Sequence, residues 1–350
     1  MTGVPAVTVI LTTFNQGRWL REAIESVLSQ TFDDWELMII DNGSTDESPQ
    51  IIDSYAQHPK VSAIRYGRNT PHTIINNEAI HRARGRYISL LCGDDYYLPR
   101  KLELQVAEFE KLTEKYGVVY CGGHRLVPDG RLVELSCDVC AGDILETLLG
   151  SASVQPFPPI APLVRRECLL RYPFNEAVFI EGEAVYGKIA LGYHFAPVFE
   201  PLVVMRDHDN NLGKEIGSNL ERNVLMLNEL FDHPEFPVRF QHLRGRLLAK
   251  AFSLGGWQAI RRDRDYQLGR ERLRRAIGHD PSMSRNPRVR VGLTLCGLPR
   301  WMANACQWAI NRWKGIPPPG IGNPTPVTGI VRPAGSVAKL ADPSGSARRA

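Results

Sequence analysis

Residues 7–48 read VTVILTTFNQGRWLREAIESVLSQTFDDWELMIIDNGSTDES. Two short apolar, β-rich runs, 7–11 and 36–40, flank a segment in which Trp19, Leu20, Ala23, Ile24, Val27 and Leu28 recur at helical spacing. Each run stops at a polar cluster, Thr12-Thr13-Phe14-Asn15 after the first and Asp41-Asn42-Gly43-Ser44 after the second. Strand, amphipathic helix, strand is the unit of a parallel sheet, because a parallel neighbour needs a long crossover to bring the chain back to the same end.

The alternation continues outward. Residues 48–55 read as helix, 61–66 as strand, 76–84 as helix and 87–91 as strand. This predicts an α/β fold with a mostly parallel sheet flanked by helices on both faces. Ligands of such sheets bind beyond the carboxyl ends of the strands. The polar clusters after each strand can therefore meet on one rim. The third cluster lies in residues 87–102, YISLLCGDDYYLPRKL, where the apolar run ends in Cys92-Gly93-Asp94-Asp95. Adjacent carboxylates at a strand end suit a hard cation, Mg²⁺ or Mn²⁺, that also grips phosphate oxygens. The same residues also read as a polar turn before a helix.

Further along, a helix is expected from Pro99 to about residue 115, a strand at 117–120 and turns at 122–130. A Pro-rich loop, QPFPPIAP, closes at residue 162, and a helix follows at 183–191. Short strands broken by Pro197 and Pro201 are expected over 193–204. From about residue 218 the pattern is helical. After Gly315 the composition collapses into Pro, Gly, Ser and Ala, which predicts disorder. The expected division is a domain at 1–215, a helical C-terminal extension at 216–314 and a disordered tail at 315–350.

Composition narrows the class. The 350 residues are 43% hydrophobic and 23% charged, as in a soluble globular protein. Seven cysteines argue against a secreted disulfide framework, and the CxxC of Cys137 and Cys140 has no second pair to complete a zinc site. Residues 7–13 read as a strand rather than a signal sequence, and no apolar run reaches the about 18 residues of a membrane span. A cytoplasmic location is expected. The net charge of +4 is uneven: residues 261–314 hold 13 Lys/Arg against 4 Asp/Glu, a local +9. Residues 261–275 lack interleaved aromatics, and no nucleic-acid motif accompanies them, so nucleic acid is not an expected partner. Residues 285–314 interleave Val289, Val291, Leu293, Trp301, Met302, Trp308 and Trp313 with Arg288, Arg290, Arg300, Arg312 and Lys314. That pattern fits peripheral contact with the inner face of the cytoplasmic membrane, or a helix folded back onto the domain.

Over roughly residues 5–212 the chain resembles the family-2 glycosyltransferases, which have the GT-A fold. The resemblance rests on the ordered set of residues 7–48, Asn69 and Asn77, ARGRYISLL leading into the acidic motif, and FNEAVFIEGEAVYGKIALGYHFAPVFEPLVVMRDHDNN at 174–211. It implies inverting transfer of a sugar from a nucleotide-diphosphate donor, a UDP- or dTDP-sugar, to a glycan or lipid-linked acceptor in cell-surface polysaccharide assembly. Asp41 then accepts a hydrogen bond from the base, unless it only forms the turn. Thr12, Thr13 and Asn15 line the nucleoside side, Asn77 belongs with them among the donor-binding residues, and Gly43 and Asp46 shape the loop. Asp94, with Asp95 and His208, holds Mn²⁺ or Mg²⁺ on the diphosphate. Two departures stand out. Cys92 replaces the first Asp of the family's Asp-x-Asp motif and reads as a small buried residue. Gly182 stands where relatives carry the general-base Asp, which leaves Glu183 or Glu181 for that role. These departures keep open a second reading, a catalytically degenerate nucleotide-sugar-binding protein on the same fold.

Overall fold

The computed structural model describes residues 3–135, 141–150, 157–182, 184–209, 211 and 220–313, without the side chains of 307–313. The chain opens with β1 (Val7–Thr13), α1 (Gly17–Leu28), β2 (Trp35–Asp41), α2 (Ser48–Asp53), β3 (Val61–Arg65), α3 (His72–Arg82) and β4 (Tyr87–Cys92). These four strands pair in parallel in the order β3-β2-β1-β4. Side chains of a strand alternate between faces, and here both faces are buried. Ile10, Met38, Ile40 and Ile88 join one core cluster with Ile75, Ala79 and Ile80 of α3. Val9, Leu11, Leu37, Ile39 and Leu91 join the opposite cluster with Leu20, Ala23, Ile24 and Val27 of α1. The helical periodicity of residues 19–28 is thus the imprint of one helix layer.

The register decides where the chemistry falls. Thr13 of β1 pairs with Asp41 of β2, and Thr12 pairs with Cys92 of β4. The carboxyl ends of three strands therefore share one edge.

The second half is mixed. It comprises β5 (Tyr96–Tyr97), α4 (Lys101–Phe109), β6 (Tyr116–Leu126), β7 (Leu132–Leu135), α5 (Leu145–Gly150), β8 (Leu163–Arg165), α6 (Arg166–Arg171), α7 (Ala184–Ile189) and β9 (His194–Arg206). The sheet continues past β4 as β8-β6-β9-β5, with β7 on β6. Of these pairings only β6 with β9 is parallel. Two expectations change. The turn signals at 122–126 fall inside β6, and the strands broken by Pro197 and Pro201 are one 13-residue strand. β9 takes up the disruption through register shifts at Cys121/Gly122 and Gly122/Gly123, beside Pro201. Because β9 runs unbroken to Arg206, it carries residues 206–208 back to the end of β4.

Among the described residues five α-helices follow: α8 (Leu220–Phe231), α9 (Leu243–Gln258), α10 (Tyr266–His279), α11 (Pro287–Gly297) and α12 (Arg300–Trp313). Phe231, Phe236, Phe240 and Leu247 pack into the same cluster as Val185 and Ile189 of α7, so the first of these helices share the core of the sheet. Farther on, Ile260, Leu273, Val289 and Leu295 form a separate cluster. The expected boundary at 215, the pair Cys137 and Cys140, and the tail 315–350 lie outside the described residues.

Candidate active site

The ends of β1 and β2 are tied together by short polar side chains. Asn15 takes a left-handed conformation (φ 52°). Its amide donates to Ser44 Oγ at 2.9 Å, and its Oδ1 accepts from the Thr45 amide at 2.8 Å. Asp41, 3% exposed, accepts from the Ser44 amide at 2.9 Å. Asp46 accepts from the Gly17 and Ser48 amides, which gives it the expected loop-shaping place. Asn42 reaches outward, bonding the amide and carbonyl of Thr70 at 2.9 and 2.8 Å and Asn69 Oδ1 at 2.9 Å. Gly43 has φ 86°, and a Cβ there would lie 2.6 Å from the Arg68 carbonyl carbon, so only glycine fits. Thr12 and Thr13 are buried at the end of β1, and Thr13 Oγ1 has no hydrogen-bond partner.

At the end of β4 the potential ligand atoms of Cys92, Asp94 and Asp95 lie within 4.8 Å of one another. Asp94 is 7% exposed. Its Oδ2 lies 2.9 Å from His208 Nε2, while its Oδ1 is buried without a partner among the described residues. Asp95 Oδ1 accepts from the Arg206 amide at 2.9 Å, and Arg206 Nη1 donates to the Asp94 carbonyl at 2.7 Å. The Arg206 guanidinium also bonds Glu22. Burial, then the charge of Asp94, push the Asp95 carboxyl well above its usual range, against the pull of Arg206. A buried carboxylate oxygen with no donor among the described residues, beside a second carboxyl, fits a hard divalent cation. Cys92 departs from expectation. It is exposed on the rim rather than buried, so its thiol stands beside the carboxylates. His208 also differs from a plain metal ligand: it lies on Asp94, its ring stacked on Trp19 with centroids 4.3 Å apart. That stack and the 2.9 Å contact orient the carboxylate.

On the acceptor side, Glu181 is 1% exposed. Its Oε1 pairs with Lys188 Nζ at 2.9 Å without hydrogen-bond alignment, and its Oε2 accepts from the Asn175 amide at 2.5 Å. Lys188 also meets Glu229 Oε1 at 3.1 Å and the Pro173 carbonyl at 2.6 Å. Burial raises the Glu181 pKa, with the Lys188 ammonium opposing. Glu181 is thus spent on an internal ion pair. Gly182 follows with φ 60°. Arg222 holds this turn by bonding the carbonyls of Ile180 and Glu181. Glu183 lies outside the described residues.

Asn77 differs from its expected place as well. Its Nδ2 donates to the Phe174 carbonyl and Glu176 Oε1, both at 2.9 Å, and its Oδ1 accepts from the Phe174 amide at 3.0 Å. Both ends of the amide tie α3 to residues 174–176 instead of being left for a donor. Arg206, Trp19 and Lys188 were not legible as site residues. Two of them act on partners more than 100 residues away: Arg206 on Asp94 and Asp95, and Trp19 on His208. No local pattern marks such pairs.

Aligned polar strand ends, a carboxylate cluster closing β4 and a returning Arg–His segment define an α/β fold with a candidate ligand site on its carboxyl rim. Residues 8–129 match the profile described as Glycosyl transferase family 2, and over that stretch the chain is similar to the family. Over 176 residues it is 35% identical to EpsE of Bacillus subtilis (strain 168), which carries the name of a glycosyltransferase; the match covers 44% of this chain and 63% of EpsE. Over 131 residues it is 34% identical to the chondroitin synthase of Escherichia coli, covering 37% of this chain and 19% of that enzyme. The chain thus spans less than two thirds of either relative. Among solved structures, S. aureus TarS in complex with UDP superposes with a TM-score of 0.57 at 16% identity, over 88% of this chain and 91% of that one. The mannosyltransferase PcManGT from Pyrobaculum calidifontis, in complex with GDP-Man and Mn²⁺, gives 0.53 at 18%, over 89% and 88%. At such identities these two show the fold, that of the GT-A glycosyltransferases.

Proposed function

We propose that this protein transfers a sugar from a nucleoside-diphosphate donor, a UDP- or dTDP-sugar, to a hydroxyl of a glycan or lipid-linked acceptor, with inversion at the anomeric carbon. The observation that carries the reading is the buried, unpartnered Asp94 Oδ1 at the end of β4, on the same edge as Asp41. Asp94, with Asp95 beside it, would hold Mn²⁺ or Mg²⁺, which when bound neutralises charge on the leaving nucleotide. His208, stacked on Trp19, keeps the Asp94 carboxylate in place. Asp41 accepts from the base, and Thr12, Thr13 and Asn15 shape the pocket around the nucleoside. The acceptor proton goes to Glu183, because Glu181 is already paired with Lys188. Relatives that include a chondroitin synthase support a role in polysaccharide assembly.

One observation favours the binding-protein alternative: Glu181 is consumed and Gly182 stands at the expected base position. Thermal shift against UDP-, dTDP- and GDP-sugars with Mn²⁺ tests the common part, since a true donor stabilises the native state by mass action. No shift with any donor overturns the proposal. A shift without nucleotide release in the presence of sugar acceptors favours the binding protein.

A further inference from the structure

The first turns of α3 bridge the two halves of the site. Just ahead of the helix, Thr70 is clamped by Asn42 at the end of β2. On the helix, Thr73 Oγ1 donates to the Val178 carbonyl at 2.7 Å, and Asn77 bonds Phe174. Ile75 and Ala79 turn the other way, into the core against the sheet. Residues one turn apart share a helix face. His72 and Asn76 therefore share one face of α3, on which His72 stands beside Phe179.

Among the described residues neither side chain makes a hydrogen bond there. Asn76 Oδ1 is buried without a hydrogen bond. The His72 side chain makes none with the described residues. Its ring stands beside the half-buried ring of Phe179, tilted at 5.8 Å. Buried polar groups are ordinarily satisfied, so the orphaned Asn76 oxygen asks for a ligand with hydroxyls or other polar groups. Asp94 is near enough for its charge to act on His72; burial nonetheless pushes the imidazole down to about 4, which leaves it neutral at physiological pH. A neutral imidazole both donates and accepts, as does a carboxamide, and the two together match the mixed demands of sugar hydroxyls.

We propose that His72 and Asn76 form the sugar-reading part of the donor site, hydrogen-bonding hydroxyls of the transferred sugar while Phe179 lies against its C–H face. The proposal rests on the nucleotide-sugar reading above and deepens it. It assigns recognition of the sugar to α3 and recognition of the nucleotide to the ends of β1 and β2.

Calorimetry with Mn²⁺ on the full chain tests it, comparing UDP-glucose, UDP-N-acetylglucosamine and GDP-mannose with UDP and GDP alone. His72→Ala and Asn76→Ala should each weaken the preferred sugar nucleotide about tenfold, the scale of one lost hydrogen bond, and leave the bare nucleotide unchanged. His72→Gln, which keeps a donor and an acceptor, should recover part of the loss. Equal weakening of the sugar nucleotide and bare nucleotide would overturn the assignment, since the residues would then serve the diphosphate or the fold. Unchanged donor affinity with a raised KM for acceptor would overturn it in favour of an acceptor contact. Wild-type protein that binds neither nucleotide nor sugar nucleotide would instead remove the underlying nucleotide-sugar reading.

Discussion

Asp94 spends one carboxylate oxygen on His208 and leaves the other buried and unbonded. Asp94→Asn keeps the shape but removes the carboxylate charge that would attract a cation. It should abolish most metal-stimulated activity while circular dichroism stays unchanged; full activity of this variant in EDTA would refute the assignment. Asp41→Ala should weaken donor binding by about 1–3 kcal/mol, the scale of a lost hydrogen bond to a charged group, and unchanged affinity by calorimetry would count against a base contact. The two glutamates near Gly182 should separate cleanly. Glu183→Gln should cost about 10²–10⁴ in rate with little change in donor affinity. Glu181→Gln, in a buried pair with Lys188, should instead lower the urea midpoint. Near-normal turnover in both variants would leave no base among them and favour the binding protein.

At the scale of elements, α4 carries an unusual charge beneath β4. Lys101 is fully buried, with Nζ 2.8 Å from both Ser89 Oγ and Gln105 Oε1 and over the Tyr97 ring at 4.3 Å. Burial lowers its pKa to about 8, from 10.5 in an unfolded chain. Between those values the unfolded state binds a proton that the folded state has released. Stability from this group therefore rises as pH climbs through that window, by at most about 3 kcal/mol. Burial also raises the Tyr97 pKa. That tyrosine keeps its proton when folded and pulls stability the other way above about pH 10. The contribution of Lys101 is read as the difference between wild type and Lys101→Met in urea unfolding at pH 7.5 and 9.5. The variant should gain relative to wild type at the lower pH, and a difference independent of pH would refute the buried-charge account.

For the whole molecule, the basic C-terminal helices divide their apolar residues. Val289 and Leu295 of α11 pack with Ile260 and Leu273, while Val291, Trp301 and Met302 stay exposed beside Arg288, Arg290 and Arg300. No helix among the described residues is long and apolar enough to cross a membrane. An exposed Trp among arginines instead suits the surface of an anionic bilayer. Flotation with phosphatidylglycerol liposomes should recover the protein at low salt, less at high salt, and none when the chain is cut before Arg285. A full-length protein that stays in the soluble fraction at low salt would refute this docking.

Much of this was legible in the sequence because it is local. The period of residues 19–28 and the apolar runs at 7–11, 36–40 and 87–91 encode helix and strand directly, and polar strand ends in an alternating α/β pattern can only meet on the carboxyl rim. Asp41 and Asp94 could be named on that ground. Contacts between residues distant in the chain could not. The run of β9 through Pro197 and Pro201 depends on where β6 can shift register to receive it. The closure of Arg206 and His208 over Asp94 and Asp95 follows from that path. Whether a polar side chain is free or spent is equally a tertiary matter: Glu181 and Asn77 look available in the sequence but are satisfied by Lys188 and by residues 174–176. His72 and Asn76 carry no signal until packing leaves them without partners, because hydrogen-bond satisfaction is a property of the folded neighbourhood and not of the residue.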